Sequence, residues 1–339
     1  MSDRAEDFAA LRVKRVVRET SDAVSLVLEV PEHCSARFRY QAGQFLTLRV
    51  TVDGEDLHRC YSMSSAPAED ELQITVKRDP GGVVSNWLND TASEGVEIHA
   101  TPPDGRFCLR DNADEIVAFA GGSGITPIMS LVRTALANSS RRIRLFYANR
   151  SHDSVIFADA LRRLADKYAD RLVVAQHIDE DSGVVTPEAV ASFVASVGEA
   201  DYYICGPGPF MDTVQEAVAK SGVGSQRVHI ERFTVAPVPL DLADSAGQAT
   251  EVVVIDLDGK KTTADYRSGN TLLQTARMAG LRAPSSCETG SCGTCIGRIV
   301  AGSVRMLNND ALDDDEVAEG WVLTCQSLPT SQTVHVVYE

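Results

Sequence analysis

Within residues 10–108 the chain is written in short runs that alternate apolar and polar positions. AVSLVLEV, QFLTLRVTV, LQITVKR and VEIHA are rich in Val, Leu, Ile and Thr and are separated by Gly, Pro, Asp and Ser. Period-two runs of this length bury one face each, and several of them punctuated by turn residues predict an antiparallel β-barrel or sandwich. From residue 115 the pattern changes. EIVAFA, IRLFYA, RLVVAQHI, DYYICG and RVHIERF read as strands, with PIMSLVRTALA, SVIFADALRRLADKYA, TPEAVASFVASV and FMDTVQEAVAKSG between them as helices. Thr186-Pro187-Glu188 is a helix start, and the helix PIMSLVRTALA, residues 127–137, is expected to open at Pro127. Strands alternating with helices predict a doubly wound parallel α/β sheet, whose ligands sit at the carboxyl ends of its strands. TVAPVPLDLADSAGQAT has no period and two early prolines, Pro237 and Pro239, and predicts a linker. Beyond it, EVVVIDLDGKKTTADY alternates about an Asp258-Gly259 turn as a β-hairpin, NTLLQTARMAG reads as a short helix ending at Gly280, and HVVYE closes the chain as a strand. The expected division is 1–110, 111–233, a linker at 234–250, and 251–339.

Composition changes this picture little. At 339 residues the chain holds two or three domains, and 44% apolar with 24% charged residues is ordinary for a globular protein. A formal net charge of −16 argues against nucleic acid as a partner, which calls for a basic surface. MSDRAEDFAALRVKRVVRET has no apolar signal segment, and no apolar run approaches the ~18 residues of a membrane span. The expected setting is therefore the cytoplasm, where thiols stay reduced. NNDALDDDEVAEG carries Asp and Glu with no basic residue; it reads either as a solvated face or as a steering patch for a positively charged protein.

Against that background the stretch PSSCETGSCGTCIG stands out. Three thiols on a Gly- and Ser-rich segment admit a disulfide knot, a zinc site or an iron–sulfur cluster. A reducing compartment disfavours the first. A zinc ribbon calls for two C-x2-C knuckles, and only one is present. Cys287, Cys292 and Cys295 give C-x4-C-x2-C, and Cys325 follows after 29 intervening residues, the plant-type 2Fe–2S spacing. Gly290, Ser291 and Gly293 let the backbone close round a cluster and aim N–H groups at its sulfurs, which tunes its potential. The seven histidines show no short metal-ligand spacing, and Cys34, Cys60 and Cys108 read as buried small residues.

Two glycine turns fall at strand ends in the α/β region. AGGSGITP leads from strand to helix, as does CGPGPFM. Either turn alone is often structural, and the first ends in Pro where the usual dinucleotide fingerprint has Gly. Two at neighbouring strand ends favour a nucleotide site, with the phosphates at a helix N-terminus.

With these motifs the chain resembles the ferredoxin–NADP reductase superfamily. GGSGITP and CGPGPFM look like its pyridine-nucleotide motifs, HRCYSMSS like its Arg-x-Tyr-Ser flavin motif, and VKRDPGGVVSNWL like its second flavin element. Residues 250–339 resemble the β-grasp fold of plant-type ferredoxins. The resemblance spans nearly the whole chain and implies a flavin barrel, a nucleotide domain and a ferredoxin domain, in that order. It implies that Tyr61 packs against the isoalloxazine, that Ser62 lies near its N5, and that Arg59 pairs with the diphosphate of FAD. It further implies FAD contacts from Cys60, Val76, Lys77, Gly82, Val83, Val84, Ser85 and Phe233. Gly122, Ser123, Gly124, Ile125, Thr126, Asn149, Arg150, Cys205, Gly206, Pro207, Phe210 and Met211 would bind the pyridine nucleotide. Cys205 would lie beside the nicotinamide with Glu231 nearby, so Ser62, Cys205 and Glu231 are the expected catalytic residues, and Cys287, Cys292, Cys295 and Cys325 the cluster ligands. Relatives that use NADPH place basic and hydroxyl groups after the second strand to hold a 2′-phosphate. YANRSHD offers Arg150 and Ser151 there, but Asp153 repels a phosphate, so NADH is expected over NADPH.

The implied activity is electron transfer. A nicotinamide gives two electrons at once and a 2Fe–2S cluster takes one, so a flavin stands between them. Reductases of this plan supply bacterial multicomponent oxygenases. A plant-type cluster near about −400 mV feeding a Rieske centre at roughly −150 mV or above runs downhill. A terminal oxygenase is the expected partner, with no nucleic acid, no membrane, and a monomeric chain.

Overall fold

The computed structural model describes residues 8–69, 71–112, 114–233, 252–267, 269–281, 283–285, 290, 293–309 and 311–338. The expected linker at 234–250, and Cys287 and Cys292, lie outside the described residues. The chain divides into two units, Met1–Phe233 and Thr234–Glu339.

In the first unit, β1 (Ala9–Thr20), β2 (Ala23–Glu29), β3 (Phe45–Val52), β4 (Glu55–Ser62), β5 (Leu72–Lys77) and β6 (Glu97–Ala100) form an antiparallel sheet in the order β4-β3-β6-β1-β2-β5. A Met63–Ile74 bridge and a hydrogen bond from Ser64 N–H to Gln73 O at 2.8 Å join the two ends of that order and close the barrel. Leu11, Leu26, Leu46, Leu48 and Ile74 fill its interior. Two strands escaped the alternation read from the sequence. β1 interleaves Leu11 and Val13 with Arg12, Lys14 and Arg15, and β4 reads EDLHRCYS, polar because it carries the flavin motif. Strand β2 is buried on both faces: Val24, Leu26 and Leu28 point into the barrel, while Ala23 joins the core of the neighbouring sheet.

That sheet is parallel, in the order β11-β10-β7-β8-β9, from β7 (Glu115–Gly121), β8 (Ile143–Asn149), β9 (Leu172–Ile178), β10 (Ala200–Cys205) and β11 (Val228–Glu231). Along β7 alternate side chains serve opposite layers. Ile116, Ala118 and Ala120 face α2 (Ile125–Asn138) and α3 (Ala158–Lys167), whereas Val117 and Phe119 face α5 (Pro187–Val194) and α6 (Gly208–Lys220), giving the doubly wound arrangement. Two helix starts differ from expectation. α2 opens at Ile125 after a 3-10 turn over Gly122–Gly124, two residues ahead of Pro127. The helix expected over 154–169 begins only at Ala158, because Phe157 holds a left-handed φ of 62° and Val155, Ile156 and Phe157 plug the core instead of following a helical face.

In the second unit, β12 (Val252–Leu257) and β13 (Lys260–Asp265) form the expected hairpin, with Asp258 and Gly259 at φ 54° and 72°. With β14 (Ile296–Ala301), β16 (Trp321–Leu323) and β18 (Thr333–Val337) they make a sheet ordered β13-β12-β18-β14-β16; β15 (Val304–Met306) pairs with β17 (Ser327–Pro329). α7 (Leu272–Met278) covers the core with Leu272, Leu273 and Ala276, and its Thr271–Gln274 capping box fixes where it starts.

Candidate functional site

The flavin motif lies at the end of β4, paired with β3 as Leu48–Arg59, Thr47–Cys60, Leu46–Tyr61 and Phe45–Ser62. Arg59 is exposed and donates to the His58 carbonyl at 2.7 Å, which leaves most of its guanidinium donors directed outward. Tyr61 lies against the barrel core, and burial pushes its phenol above the ordinary range, against the pull of the Arg59 charge. Ser62 is 4% exposed, and its Oγ has no hydrogen-bond partner among the described residues. A buried hydroxyl is nearly always satisfied, so this orphan fits a bound acceptor such as a flavin ring nitrogen. Cys60 is half-buried, not buried as expected, with Sγ 3.3 Å from Thr47 Oγ1.

The second flavin element ends β5 and begins α1 (Val83–Thr91). Gly82 caps that helix without a side-chain bond, so the first N–H groups of Val83, Val84 and Ser85 are left to a ligand or water, a fit for a diphosphate. The side chains of Val76 and Val84 are in the barrel core, so these two residues offer a cofactor backbone atoms alone. Ser85 Oγ accepts from Asp79 N–H at 3.1 Å, and Val83 is 50% exposed. Lys77 Nζ is 3.6 Å from Asp22 Oδ2 and faces the Gly122 turn of the nucleotide sheet, 3.8 Å from where a Cβ would stand.

The two glycine turns of the parallel sheet touch each other. A Cβ on Gly124 would stand 2.1 Å from the Cys205 carbonyl oxygen, so only glycine lets these strand ends meet. The glycine thus serves turn-to-turn packing, in addition to the ligand approach inferred from sequence. Gly122 takes a left-handed φ of 50°, and its carbonyl accepts from Tyr147 Oη at 3.3 Å. Thr126 Oγ1 donates to Ser123 O at 2.8 Å, and Ile125 is buried. Pro207 caps α6, Phe210 packs over Gly206, and Met211 lies in the core. Asn149 is buried at the end of β8, while Arg150 is exposed.

Parallel pairing sets Cys205 opposite Glu231. Both are buried, and burial together with the Glu231 charge holds the Cys205 thiol well above its ordinary range, so it stays protonated. Cys108 also departs from the buried-filler expectation. It is half-buried, and burial, then the Glu231 charge, pushes its thiol up to about 11, which places it in the surroundings of that carboxylate. No spacing in the sequence signals this, because the segment carrying Cys108 reaches Glu231 only through the fold. Phe233, two residues beyond Glu231, is 37% exposed.

In the second unit Cys295 and Cys325 are buried. Thr324, next to Cys325, bonds the Cys295 carbonyl through both its N–H (3.1 Å) and its Oγ1 (2.8 Å), which ties the two cysteine segments together. Gly290 and Gly293 take left-handed φ values of 89° and 66°, the tight turns that closure round a cluster calls for.

Comparison with known proteins agrees with this geometry. The oxidoreductase FAD-binding domain model matches residues 10–108, the oxidoreductase NAD-binding domain residues 119–216, and the 2Fe-2S iron-sulfur cluster binding domain residues 255–330. The ferredoxin reductase component of 3-ketosteroid-9-alpha-monooxygenase from Mycobacterium tuberculosis is 42% identical over 97% of this chain and 95% of that protein. A component of the 1,2-phenylacetyl-CoA epoxidase from Escherichia coli is 31% identical over 98% of each. The structure of phthalate dioxygenase reductase superposes with a TM-score of 0.67 at 25% identity, covering 100% of both chains. The chain belongs to the family of flavin-dependent reductases in which an FAD-binding barrel and an NAD-binding sheet of the ferredoxin–NADP reductase type are joined to a 2Fe–2S domain. It is an oxidoreductase whose cofactors are FAD, a nicotinamide coenzyme and a 2Fe–2S cluster. FLTLRV, VKRDPGG with VSNWL, YANR with SVIFADALRRLADKY, and ICGPGPFM look most like the 3-ketosteroid 9α-hydroxylase reductase, with the phenylacetyl-CoA epoxidase reductase next. Among the described residues no helix is long and apolar enough to cross a membrane.

Proposed function

We propose that this chain is the reductase of a bacterial 3-ketosteroid 9α-hydroxylase, passing electrons from NADH through FAD and the cluster to a Rieske-type terminal oxygenase. The observation that carries the reading is the 42% identity to such a reductase over essentially the full length of both chains. In this reading residues 1–110 hold FAD, 111–233 hold NADH, 234–250 link, and 251–339 hold the cluster. FAD, when bound, would supply the two-electron to one-electron exchange needed between NADH and a 2Fe–2S centre. The chain's residues bind, orient and exclude water. Arg59 and the start of α1 hold the diphosphate, Tyr61 backs the ring, and the Ser62 hydroxyl hydrogen-bonds at its reacting edge. Cys205, uncharged, presents a small apolar wall to the nicotinamide, and Glu231 stands behind it. Phe233 would cover the flavin. Cys287, Cys292, Cys295 and Cys325 ligate the irons.

A preference for NADH draws on the surroundings of Arg150. Beside Asp153, the short α4 (Asp179–Ser182) adds Asp179, Glu180 and Asp181. Glu180 N–H donates to the Arg150 carbonyl at 3.1 Å, and His152 Nε2 is 3.0 Å from Asp181 Oδ2. A 2′-phosphate at this place meets carboxylates. The chain acts in the cytoplasm as a monomer.

The test is reconstitution. Purified reductase is mixed with NADH and, in parallel, with a steroid 9α-oxygenase or a phenylacetyl-CoA epoxidase component, and turnover is measured. The reading expects coupled steroid hydroxylation at least tenfold faster than epoxidation. Faster epoxidation favours the second reading, for which the 31% identity to the epoxidase component speaks.

A further inference from the structure

Ser62 stands on the flavin side of the first unit and Cys205 on the nucleotide side, in different sheets. What joins the sheets sets the gap between the reacting rings. Beside side-chain contacts such as Ser130 Oγ to the Ser65 carbonyl (2.6 Å), the join that is continuous in chain is a strap, residues 104–110, lying between β6 and β7. At its barrel end Asp104 exchanges two backbone hydrogen bonds with Phe45 (2.9 and 3.0 Å), and Phe45 is the β3 residue paired with Ser62. Further along, a Cβ on Gly43 would stand 1.9 Å from the Phe107 carbonyl oxygen, so the strap lies directly on barrel backbone while the Phe107 ring enters the nucleotide core. At its far end the strap meets Tyr203. The Tyr203 hydroxyl accepts from Arg110 N–H at 2.9 Å and donates to the Cys108 carbonyl at 3.3 Å.

Tyr203 is fully buried on β10, edge-on to Phe107 at 5.6 Å and 4.8 Å from the His229 ring. It precedes Cys205 by two residues, so both side chains leave the strand on one face, as do their pairing partners His229 and Glu231. Burial pushes its phenol up to about 12, and the hydroxyl keeps its proton through the working range. Arg141 steadies the same segment, donating to Arg110 O at 3.0 Å while paired with Asp201 at 3.0 Å. Ser62, Phe45, Asp104, the strap, Tyr203 and Cys205 thus form one continuous hydrogen-bonded and covalent path from flavin side to nicotinamide side.

We propose that Tyr203 is a positioning residue for hydride transfer: its hydroxyl locks the strap to β10 and so fixes the approach of the nicotinamide at Cys205 to the flavin at Ser62. The proposal rests on the reading that these two residues flank the reacting rings. Hydride transfer needs the reacting atoms within ~3–3.5 Å, and a displacement of about 1 Å costs up to roughly a hundredfold in rate. Replacing the hydroxyl removes the acceptor of the Arg110 N–H and the donor to the Cys108 carbonyl, and the strap is then free to shift.

The test is Tyr203→Phe in the full-length protein with FAD and cluster. Stopped-flow reduction of the flavin by NADH is expected to slow about tenfold. The primary isotope effect with 4-deuterated NADH is expected to be undiminished, and ADP-ribose affinity by calorimetry to stay within about twofold. Amide exchange at Cys108 and Arg110, followed in the flavin-free protein by mass spectrometry, is expected to accelerate. A reduction rate within about twofold of the parent, or a slowing matched by an equal loss of ADP-ribose affinity, overturns the proposal. If Tyr203→Phe does not fold, Phe107→Leu loosens the same strap and must give the same split between rate and affinity; equal losses there also overturn it. These readouts stop at the flavin, so the identity of the oxygenase does not enter. A parent protein that NADH does not reduce defeats the functional reading instead, and is recognised before any variant is made.

Discussion

The cluster loop and the hydride-transfer site are built in opposite ways. Three of the four cysteines proposed as cluster ligands fall within nine residues of sequence, and the fourth follows Thr324, which is bonded to the Cys295 carbonyl. The proposed hydride site gathers Ser62, Cys205 and Glu231 from two sheets, with Gly124 at the turn against Cys205, and each is positioned by contact with something distant in sequence. A locally encoded site tolerates change elsewhere in the molecule but not in its ligands. A site assembled by tertiary pairing has few indispensable atoms and many residues that set its geometry. Substitutions therefore separate the two regions by the shape of the response as well as by its size.

The largest effect belongs to the cluster. Cys292→Ala removes one of four ligands, and iron–sulfur absorbance and one-electron transfer to cytochrome c are expected to vanish. NADH-to-ferricyanide activity should survive, because the flavin and nucleotide sheets form their own unit. Two irons per chain in that variant, counted by metal analysis, would refute the ligand set.

Ser62→Ala tests the other side of the contrast. The hydroxyl is buried and without a protein partner among the described residues, so its loss disturbs no internal bond. The variant should retain FAD and its melting temperature, while flavin reduction by NADH falls by roughly a hundredfold, the scale of one preorganised hydrogen bond at a reacting centre. Unchanged reduction kinetics would mean that Ser62 points away from the reaction.

How much of this was legible in the sequence follows the same division. The cysteine spacing, the Asp258-Gly259 hairpin and the capped helix after Thr271 were readable because each is decided by neighbours a few residues apart. The start of α3 was not, since nothing local announces that Phe157 turns left-handed to bury Val155 and Ile156. Strand β4 was hidden for a related reason: Asp56, His58 and Arg59 break the apolar alternation, although Leu57 and Tyr61 pack against the barrel core. Cys108 looked like ordinary filler and Tyr203 was read only as part of a strand, and their setting emerges only when the strap crosses from barrel to sheet. Gly124 was read for a ligand, and the fold adds that it makes room for the Cys205 carbonyl.

Alkaline pH offers an intermediate effect. Burial pushes the Cys108 thiol up to about 11 and the Tyr40 and Tyr203 phenols up to about 12, all in the first unit. The folded state keeps these protons while an unfolded chain releases them from about pH 9 (Cys) and 10 (Tyr) upward, so stability is intact below pH 9 and falls as pH rises toward 11–12. Flavin fluorescence, which reports FAD release, should rise across that window. A flat signal to pH 11 would show that burial of these groups does not govern the unit's stability.

The smallest effect concerns the acidic stretch before Cys325, where the fold separates two roles that the composition merges. Asp313 and Glu316 form a reciprocal capping box on α8 (Asp314–Ala318), Asp313 Oδ1 accepting from Glu316 N–H and Glu316 Oε2 from Asp313 N–H, both at 2.8 Å. Those two carboxylates are committed to starting the helix, and Asp313→Ala should cost about 0.5–2 kcal/mol of local stability. Asp314 and Asp315 are exposed and take no part in the box, so they are the charges free to steer a basic oxygenase surface. Asp314→Asn with Asp315→Asn should slow electron transfer to the oxygenase about two- to fivefold at low salt and leave flavin reduction by NADH unchanged. Raising ionic strength to physiological values and beyond should erase the difference, because exposed charges are screened over about 8–10 Å. A variant with the parent's rate and salt dependence would assign these residues to solubility, and steering would then have to come from elsewhere on the cluster-bearing unit.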